Sequence, residues 1–290
     1  MEMLAALAQH RHFARAAEAC GISQPAFSER IRNLEKSLGT SIVLRGNRFA
    51  GFTPEGEIAL RWAHRMIADA TGLRQEIDEA KGVLTGRLAI GVVPTALTYV
   101  ANIAAELRKR HPGLAIQVHS RSADEIARGL EGFELDAGVT YLERALPRGC
   151  QAEDLFEERY ELLLPSALGA APDDTISWRA AADFPLCLLT PNMMNRQFID
   201  EAFREAEVTP NVVMETNAFT AALVQVGNGT AATIASDTLA QDIGAQADVA
   251  RLPLVQPELT KRIGIVTAER DLSLPAVEAL LKLVRETPQG

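Results

Sequence analysis

The hydrophobic and polar positions of the first 39 residues repeat with the period of short amphipathic helices. Two sets of apolar residues mark the first two helices: Leu4, Leu7 and Ala8, followed by Phe13, Ala16, Ala17 and Cys20. Gly21 can take the left-handed turn that ends a helix, and Ser23 is a good N-cap ahead of Pro25. A third apolar set predicts a helix that ends at Gly39: Ala26, Phe27, Ile31, Leu34 and Leu38. The pattern therefore predicts a helix-turn-helix preceded by one further helix.

The outward face of the third helix carries polar and charged side chains suited to base edges and phosphates in a DNA major groove. These candidate DNA-binding residues are Ser23, Gln24, Pro25, Ala26, Ser28, Glu29, Arg30, Arg32 and Asn33. Residues 41–53 then form two short apolar runs around Gly46-Asn47, which is typical of a small β-wing. Arg45 and Arg48 flank this turn and would contact the phosphate backbone. The alternative is a helical hairpin that serves only for packing, with a solvated charged face.

Residues 54–81 predict one long helix, capped by Thr53 and Pro54. Its apolar residues follow each other in steps of four and three: Ala59, Ala63, Met66, Ala70, Leu73, Ile77 and Ala80. Such a heptad seam is typical of a coiled-coil contact between two chains. Packing of the same seam against the chain's own body is the alternative. Gly82 and Gly86 predict a flexible joint after the helix.

From Arg87 onward, apolar runs typical of strands alternate with helical periodicity. Strands are predicted at 87–95, 114–120, 135–142, 159–165, 185–190, 211–216, 230–235 and 262–268, and helices at 98–110, 122–132, 195–207, 217–227 and 275–286. This order predicts two α/β lobes built from parallel βαβ units. The chain is expected to cross between the lobes near 160–164 and 262–266.

Ligands of open α/β sheets bind at the carboxyl ends of the strands, where helix N-termini offer free amides. The candidate effector-binding residues at these ends are Thr95, Ala96, Arg121, Ser122, Thr140, Thr190, Asn192, Thr216 and Asn217. Hydroxyls and amides that converge on one cleft suit a small anion, either a carboxylate or an inorganic oxyanion. Arg121 would add a positive charge. For each single residue, an ordinary helix cap is an equally good interpretation.

Charge is distributed unevenly along the chain. Residues 1–53 contain seven Lys and Arg against four Glu, which gives them a net charge of +3. Since the whole chain has a net charge of −9, residues 54–290 carry a net charge of −12. A basic head on an acidic body favours nucleic-acid binding by the head alone. The composition, 47% hydrophobic without a membrane-length apolar run, is that of a soluble protein of two or more domains. With no signal peptide visible and few cysteines, a cytoplasmic location is expected.

An enzymatic function is not expected. Five histidines (His10, His12, His64, His111 and His119) show no metal-binding spacing, and neither a nucleophile elbow nor a phosphate-binding loop is present. We therefore predict no catalytic residue, no metal and no cofactor.

The alternative function to consider is that of a thiol-based redox sensor. Cys20 and Cys187 fall in predicted core positions, whereas Cys150 follows a predicted loop, where Arg148 would lower its pKa. No resolving partner for Cys150 is evident in the sequence, so inert thiols are favoured.

Residues 16–57, AAEACGISQPAFSERIRNLEKSLGTSIVLRGNRFAGFTPEGE, resemble the N-terminal winged helix-turn-helix of LysR-type transcriptional regulators. The matching positions are Ala16-Ala17, Ser23 to Ala26, Ser28, Leu34-Glu35, Leu38-Gly39, Thr53-Pro54 and Gly56. Glu29 departs from the family, which often has a basic or amide residue there. The strands and helices after Arg87 resemble, in order and length, the periplasmic-binding-protein-like effector domain of the same family. Residues 227–236 depart from that family's glycine-aliphatic run ending in proline.

The resemblance implies an α/β protein overall, with three parts. These are a winged helix-turn-helix (1–53), a linker and dimerisation helix with hinge (54–86), and a two-lobed effector domain (87–290), with lobe I at about 87–160 and 263–290 and lobe II at about 161–262. It implies a sequence-specific regulator that binds double-stranded promoter DNA, forms dimers and tetramers, and acts on RNA polymerase without contacting a membrane. Thr95, Ser122 and Thr190 are the foremost effector-binding candidates by resemblance. A body that only oligomerises, without an effector, is the other alternative.

Overall fold

The computed structural model describes residues 1–44, 49–169, 174–242, 248–269 and 273–287. The helices in these ranges are α1 (Glu2–His10), α2 (Phe13–Ala19), α3 (Gln24–Leu38), α4 (Pro54–Ala80), α5 (Leu97–Arg110), α6 (Ala123–Glu131), α7 (Trp178–Ala181), α8 (Met194–Glu205), α9 (Phe219–Gly227), α10 (Asp237–Asp242) and α11 (Pro275–Glu286). The strands are β1 (Gly86–Val92), β2 (Leu114–Ser120), β3 (Ala137–Tyr141), β4 (Cys150–Pro165), β5 (Ile176–Ser177), β6 (Leu186–Leu189), β7 (Val212–Thr216), β8 (Thr233–Ser236), β9 (Val249–Val255) and β10 (Thr260–Ala268). Among the described residues, no helix is long and apolar enough to span a bilayer.

Three helices and the start of α4 enclose the N-terminal core. Gly21 adopts φ +67° in the turn between α2 and α3, and the Ser23 hydroxyl accepts a hydrogen bond from the backbone N–H of Ala26. The α3 helix ends at Gly39 in the left-handed conformation. The buried core holds Leu4, Leu7, Ala16, Ala17, Phe27, Ile31, Ile42, Val43, Leu60 and Ala63. The predicted helix-turn-helix, with its glycine turn and serine cap, is confirmed.

The wing residues Arg45 and Arg48 lie outside the described residues. On either side of them the chain pairs with itself, because Val43 and Phe52 form an antiparallel bridge. The backbone N–H of Leu44 also donates to the carbonyl of Gly51 at 3.0 Å. The segments that precede and follow residues 45–48 therefore lie antiparallel to each other.

Three faces of the long helix α4 lie in different surroundings. At its start, Leu60 and Ala63 are buried in the N-terminal core. Further along, Ala68, Gly72 and Gln75 are buried on another face. The predicted heptad seam is therefore wrong at Ala63, which packs inside its own chain. A third face leaves a stripe of large apolar side chains about half exposed: Ile58, Trp62, Met66, Leu73 and Ile77.

Lobe I is built on a mixed sheet whose path runs β2-β1-β3-β10-β4-β9-β5 through both lobes. Strands β2, β1 and β3 are parallel, and β10 returns antiparallel between β3 and β4. The core of lobe I buries apolar residues of β1, β3, β10, α5, α6 and α11. Lobe II has its own core around Trp178, Leu188, Phe203 and Ile234.

Strand β4 connects the two lobes as one 16-residue strand. Its first part, up to Arg159, pairs with β10, and its second part, from Tyr160, pairs with β8 and β9. The sequence predicted only the second, apolar part, because the first part (QAEDLFEER) is rich in charged residues. An antiparallel partner tolerates this composition, since one face of such a pair can meet solvent. The short helices α7 and α10 and the strand β9 were not predicted either.

Candidate functional site

The outward face of α3 is available for contact with DNA. The side chains of Ser23, Gln24, Pro25, Glu29, Arg30, Arg32 and Asn33 are exposed, whereas Ala26 and Ser28 are half-buried. The Arg32 guanidinium donates to the backbone carbonyl of Ser28 one turn earlier, at 3.3 Å. Glu29 and Arg30 are solvent-exposed next to each other, so this face is of mixed charge rather than uniformly basic.

Glu35 has a structural task on the opposite face of α3. Its carboxylate oxygen Oε1 accepts hydrogen bonds from the backbone N–H groups of Ile42, at 2.9 Å, and Val43, at 3.3 Å. It is 9% exposed and follows Phe27 and Ile31 on the buried face at a spacing of four. An acidic residue on an otherwise apolar helix face was the available signal, because a buried carboxylate needs donors. Glu35 thus positions the start of the wing segment against α3.

A second group of polar side chains lies at the junction of the two lobes. The hydroxyl oxygens of Thr95 and Tyr141 are 3.0 Å apart, and Tyr141 donates to Oε2 of Glu158 at 3.0 Å. Glu158 belongs to β4 and is completely buried, as is the neighbouring Tyr160. Asn195, from the first turn of α8, lies beside the Tyr160 hydroxyl. We call Thr95, Tyr141, Glu158, Tyr160 and Asn195 the interlobe cluster.

Several atoms of the interlobe cluster are buried without a hydrogen-bond partner among the described residues. They are Oε1 of Glu158, the hydroxyl of Tyr160 and both amide atoms of Asn195, and the adjacent Thr140 hydroxyl shares this state. Buried polar atoms are nearly always paired in folded proteins, so a group of unpaired ones at one place is unusual. A bound polar molecule with matching donors and acceptors would pair these atoms.

The titratable groups of the cluster are one carboxyl and two phenols, and burial favours the neutral form of each. The pKa of Glu158 is raised to about 7, chiefly by burial, with the carboxylates of Asp237 and Glu143 adding to the rise and hydrogen bonds from Thr95 and Tyr141 opposing it. Burial, together with the nearby Glu158 carboxylate, raises the pKa values of both Tyr141 and Tyr160 well above their ordinary value. Both phenols are therefore neutral hydrogen-bonding groups at any physiological pH.

The predicted effector-binding residues of lobe I do not all converge. Thr95 and Ala96 are buried at the 3₁₀ turn after β1, and Thr95 belongs to the interlobe cluster. Ser122 is engaged in a capping box with Glu125, which is the ordinary helix-cap interpretation. Arg121 lines a groove of about 820 Å³ between α1, α4 and β2 together with Arg87 and His119. The charge expected to attract an anion therefore faces this other groove.

One of the lobe II candidates forms a hydrogen bond within a local turn, and the others are half-buried or exposed. The Thr216 hydroxyl accepts from the backbone N–H of Ala218 at 3.1 Å in a tight turn. Thr190 is half-buried, and Asn192 and Asn217 are exposed. Their role in binding stays a prediction. The sequence missed Asn195, although a polar residue on the buried face of α8, four positions before Ile199, was a usable signal.

Side chains of lobe I and lobe II contact each other around the cluster. The rings of Tyr141 and Phe198 pack edge to face with centroids 5.1 Å apart, and the Lys261 ammonium lies 4.3 Å from the Phe198 centroid. Arg144 of lobe I donates to the side chain of Gln197 in α8 at 3.1 Å. The cluster therefore lies where the lobes meet, under a cover of aromatic and polar contacts.

All three cysteines are free thiols, and each is at least half-buried. Cys150 is half-buried at the start of β4, and burial together with the carboxylates of Glu131 and Glu269 raises the pKa of its thiol. The prediction that Arg148 lowers this pKa is therefore wrong, because burial raises it most and the two carboxylates add to the rise. Burial also raises the pKa of the Cys187 thiol, and Cys20 is half-buried. Within the described ranges, no group of three or more metal-ligating side chains is found.

Comparison with known proteins supports both halves of this description. Residues 1–57 match the bacterial regulatory helix-turn-helix of the LysR family, and residues 81–289 match the LysR substrate-binding domain. A protein of Streptomyces viridosporus described as a "Probable hydrogen peroxide-inducible genes activator" is 32% identical over 83% of this chain and 78% of its own length. The regulator XapR of Escherichia coli is 26% identical over 81% of both chains. The full-length structure of an OxyR variant from Pseudomonas aeruginosa has a TM-score of 0.76 at 23% identity, over 98% of this chain and 93% of that one.

The two family matches together cover nearly the whole chain, in the order in which the helix-turn-helix and the two-lobed domain occur in the structure. The family consists of transcriptional regulators rather than enzymes. The chain is a DNA-binding transcriptional regulator of the LysR family.

Proposed function

We propose that this regulator changes its action on promoter DNA when a small molecule binds between the lobes of its effector domain. The observation that carries the proposal is the interlobe cluster, in which Glu158, Tyr160 and Asn195 keep unpaired polar atoms in a buried place. Each unpaired buried group costs about 1–3 kcal/mol, which a ligand with matching donors and acceptors would recover. Ligand binding would thereby favour one relative position of the two lobes.

The route from this site to DNA would run through α4. Gln75 and Gly72 of α4 contact the end of lobe I at Ala276 and Leu274, and the N-terminal half of α4 belongs to the helix-turn-helix core. A change in lobe I would therefore alter the placement of α3. Two copies of α3 in a dimer would read two half-sites, whose spacing the linker helices would set.

Self-association is part of the proposal. The exposed stripe of Ile58, Trp62, Met66, Leu73 and Ile77 follows helical spacing along α4 and would pair with the same stripe of a second chain. Pairing of effector domains between dimers would give a tetramer that bends promoter DNA, and contact with RNA polymerase in the cytoplasm would complete its action.

The proposal can be tested with footprinting on a promoter selected from genomic DNA at physiological salt, where nonspecific binding is weak. The footprint is recorded with and without a small-molecule extract of the host cells. The double variant Tyr160→Phe, Asn195→Leu replaces unpaired polar atoms by apolar ones, so it should fold and bind the promoter but no longer respond to the extract. Glu201→Gln, at an exposed position of α8 in the same lobe, is the control. An unchanged response of the double variant would contradict the proposal.

A thiol-based peroxide sensor is the second candidate, because the Streptomyces relative is described as a probable peroxide-inducible activator. Sensing by Cys150 would need a reactive thiolate, whereas burial and two carboxylates raise the pKa of its thiol. A Cys150→Ser variant that still changes its footprint on treatment with hydrogen peroxide would exclude this residue as the sensor.

A further inference from the structure

We propose that the interlobe cluster recognises a ligand through a protonated amine, rather than through a carboxylate or oxyanion. This inference rests on the proposed function and specifies the chemical class of the effector.

Glu158 is the residue from which the inference starts. Its side chain is 0% exposed, Oε2 receives a hydrogen bond from Tyr141, Thr95 lies beside the carboxyl, and Oε1 has no partner within hydrogen-bond distance among the described residues. In the described residues, Glu158 takes part in no ion pair and accepts no hydrogen bond from Lys, Arg or His. A buried carboxylate without a cation is costly, and an ammonium group is the partner that compensates it best.

The surroundings of Glu158 also favour positive charge. Asp237 from α10 and Glu143 after β3 lie close enough to raise its pKa, so two further carboxylates lie near it. Lys261 is the cross-strand partner of Glu158 on β10, but its ammonium lies over the Phe198 ring, which packs on Tyr141 at the edge of the cluster. A cation of the chain is thus accommodated beside the site, while among the described residues Glu158 itself forms no ion pair. An anion would meet three carboxylates here, and Arg121, the charge expected to bind it, lines another groove.

The remaining unpaired atoms define how such a ligand would be held. An ammonium group carries three N–H donors, which suit Oε1 of Glu158 and Oδ1 of Asn195, with the Tyr160 hydroxyl as a further acceptor. The Asn195 amide N–H and the Tyr160 O–H remain as donors for a carbonyl or hydroxyl elsewhere on the ligand. The cluster therefore fits a small amine that also bears one polar oxygen.

The position of the residues explains how a ligand could reach a site that is closed in this structure. Thr95 and Tyr141 come from lobe I, Asn195 comes from lobe II, and Glu158 and Tyr160 lie on β4, which runs through both. Separation of the lobes would expose the cluster, and a bound amine would draw both sides together.

The test uses the full-length protein and three probe series that share their carbon skeletons: primary amines, the corresponding alcohols and the corresponding carboxylates, from ethyl to phenylethyl. Thermal unfolding is recorded at rising concentrations, since a ligand that binds the native state raises the melting temperature saturably. We expect stabilisation by amines. The variant Glu158→Gln should bind them about ten- to a hundredfold more weakly, because it keeps the shape but loses the charge. Glu201→Gln, the same replacement at an exposed position of α8, serves as the control.

Proton exchange on binding gives a second measurement on the unaltered protein. An amine that pairs with Glu158 lowers the pKa of this carboxyl, so protons are released at pH 7 and binding strengthens from pH 6 to pH 8. The groups that face Glu158 are Thr95, Tyr141, Tyr160, Asn195, Asp237 and Glu143, with Lys261 behind the Phe198 ring. An anionic ligand would cause the opposite proton uptake. Calorimetry in buffers of different ionisation heat distinguishes the two.

The outcomes separate this inference from the proposed function. In one contrary outcome, carboxylates stabilise the protein, the Glu158→Gln variant keeps this effect, and the double variant Tyr160→Phe, Asn195→Leu loses it. That result would overturn the amine proposal and leave effector binding intact. Amine stabilisation that persists in Glu158→Gln would also overturn the inference. If no probe series stabilises the protein and the cell extract leaves the footprint unchanged, both the inference and the proposed function are overturned.

Discussion

The side-chain oxygen of Gln75 accepts a hydrogen bond from the backbone N–H of Ala276, 3.2 Å away, and so joins the linker helix α4 to the first turn of α11. The Gln75 amide also donates to the carbonyl of Arg87 at 3.3 Å, where lobe I begins. With 1% exposure, Gln75 pairs the buried N–H of Ala276 and also bonds the partly buried carbonyl of Arg87. It is thus a polar connection between the DNA-binding half and the effector-binding half of the chain.

We expect Gln75→Leu to lower the free energy of unfolding by about 1–3 kcal/mol, because the N–H of Ala276 and the carbonyl of Arg87 lose a buried partner. Urea denaturation of the full-length protein measures the change. Glu76→Leu, at the exposed neighbouring position, should have little effect. Equal stability of Gln75→Leu and the native protein would show that water replaces the side chain.

Glu35→Ala should destabilise the N-terminal domain by a comparable amount, about 1–3 kcal/mol, and weaken DNA binding. The variant removes the acceptor for the N–H groups of Ile42 and Val43, which lead into the wing. Thermal unfolding and a promoter-binding titration measure the two effects. Glu35→Gln keeps an acceptor oxygen and should therefore retain most of the stability and most of the DNA binding. Lys36→Ala, at an exposed position, serves as a neutral control.

Two glycines of α4 should respond differently to alanine. A Cβ at Gly56 would lie 2.0 Å from the carbonyl oxygen of Ile42, a backbone atom that cannot move without displacing the wing. At Gly72 it would lie 2.8 Å from a terminal methyl of Leu274, which can turn away. We expect Gly56→Ala to cost about 3 kcal/mol or more and Gly72→Ala to be near neutral, since alanine also favours the helix. Melting temperatures of the two variants provide the comparison, and similar values would contradict it.

The exposed stripe on α4 should control the oligomeric state. Leu73 is 62% exposed, and Leu73→Asp would place a charge in the contact between two linker helices. We expect the variant to dissociate to smaller species in light scattering after gel filtration, with the fold of the monomer unchanged. Glu79→Gln, on an exposed polar position of the same helix, should leave the assembly intact. A Leu73→Asp protein that keeps its native mass would place the interface elsewhere.

The buried Glu158 should make stability depend on pH in a direction opposite to that of most carboxylates. Its pKa is raised from 4.5 to about 7 in the folded state, so the folded protein holds this proton more tightly than the unfolded chain. Its contribution is therefore constant below about pH 4.5, decreases as the pH rises to 7, and stays low above that value. The change is on the order of 3 kcal/mol.

Glu158→Gln removes this titration and should be more stable than the native protein at pH 8, with a smaller difference at pH 5. Urea denaturation at these two pH values is the measurement. Asp237 and Glu143, which help to raise this pKa, are present in both proteins, so their own titration cancels in the comparison. An identical pH dependence of the two proteins would mean that Glu158 is ionised throughout.

Local features of the sequence were sufficient to predict the N-terminal helix-turn-helix. The left-handed turn at Gly21 and the cap at Ser23 depend on residues within one helical turn, and the structure confirms both. The same holds for the order of strands and helices in the lobes, since β1 and β2 are recognisable by their apolar runs. The charged part of β4 was missed because its strand conformation depends on pairing with β10, about one hundred residues later.

The candidate site was predictable only in part. Thr95 was identified because the carboxyl end of a parallel strand can be recognised from the local sequence. Ser122 was chosen for the same reason, but its hydroxyl forms a helix-capping box with Glu125. Glu158 and Tyr160 share strand β4, but Asn195 lies in α8, and nothing local in the sequence connects these two segments. Their meeting depends on how the two lobes close.

The sequence by itself determined the family, the helix-turn-helix with its caps and the alternation of strands and helices, because turn chemistry and hydrophobic periodicity act over short distances. Only the tertiary structure decided which face of α4 is buried, that Arg121 and Thr95 line different spaces, and that a carboxylate with two unpaired neighbours lies between the lobes. Burial and the pairing of polar atoms are properties of the packed chain, since they depend on residues far apart in sequence.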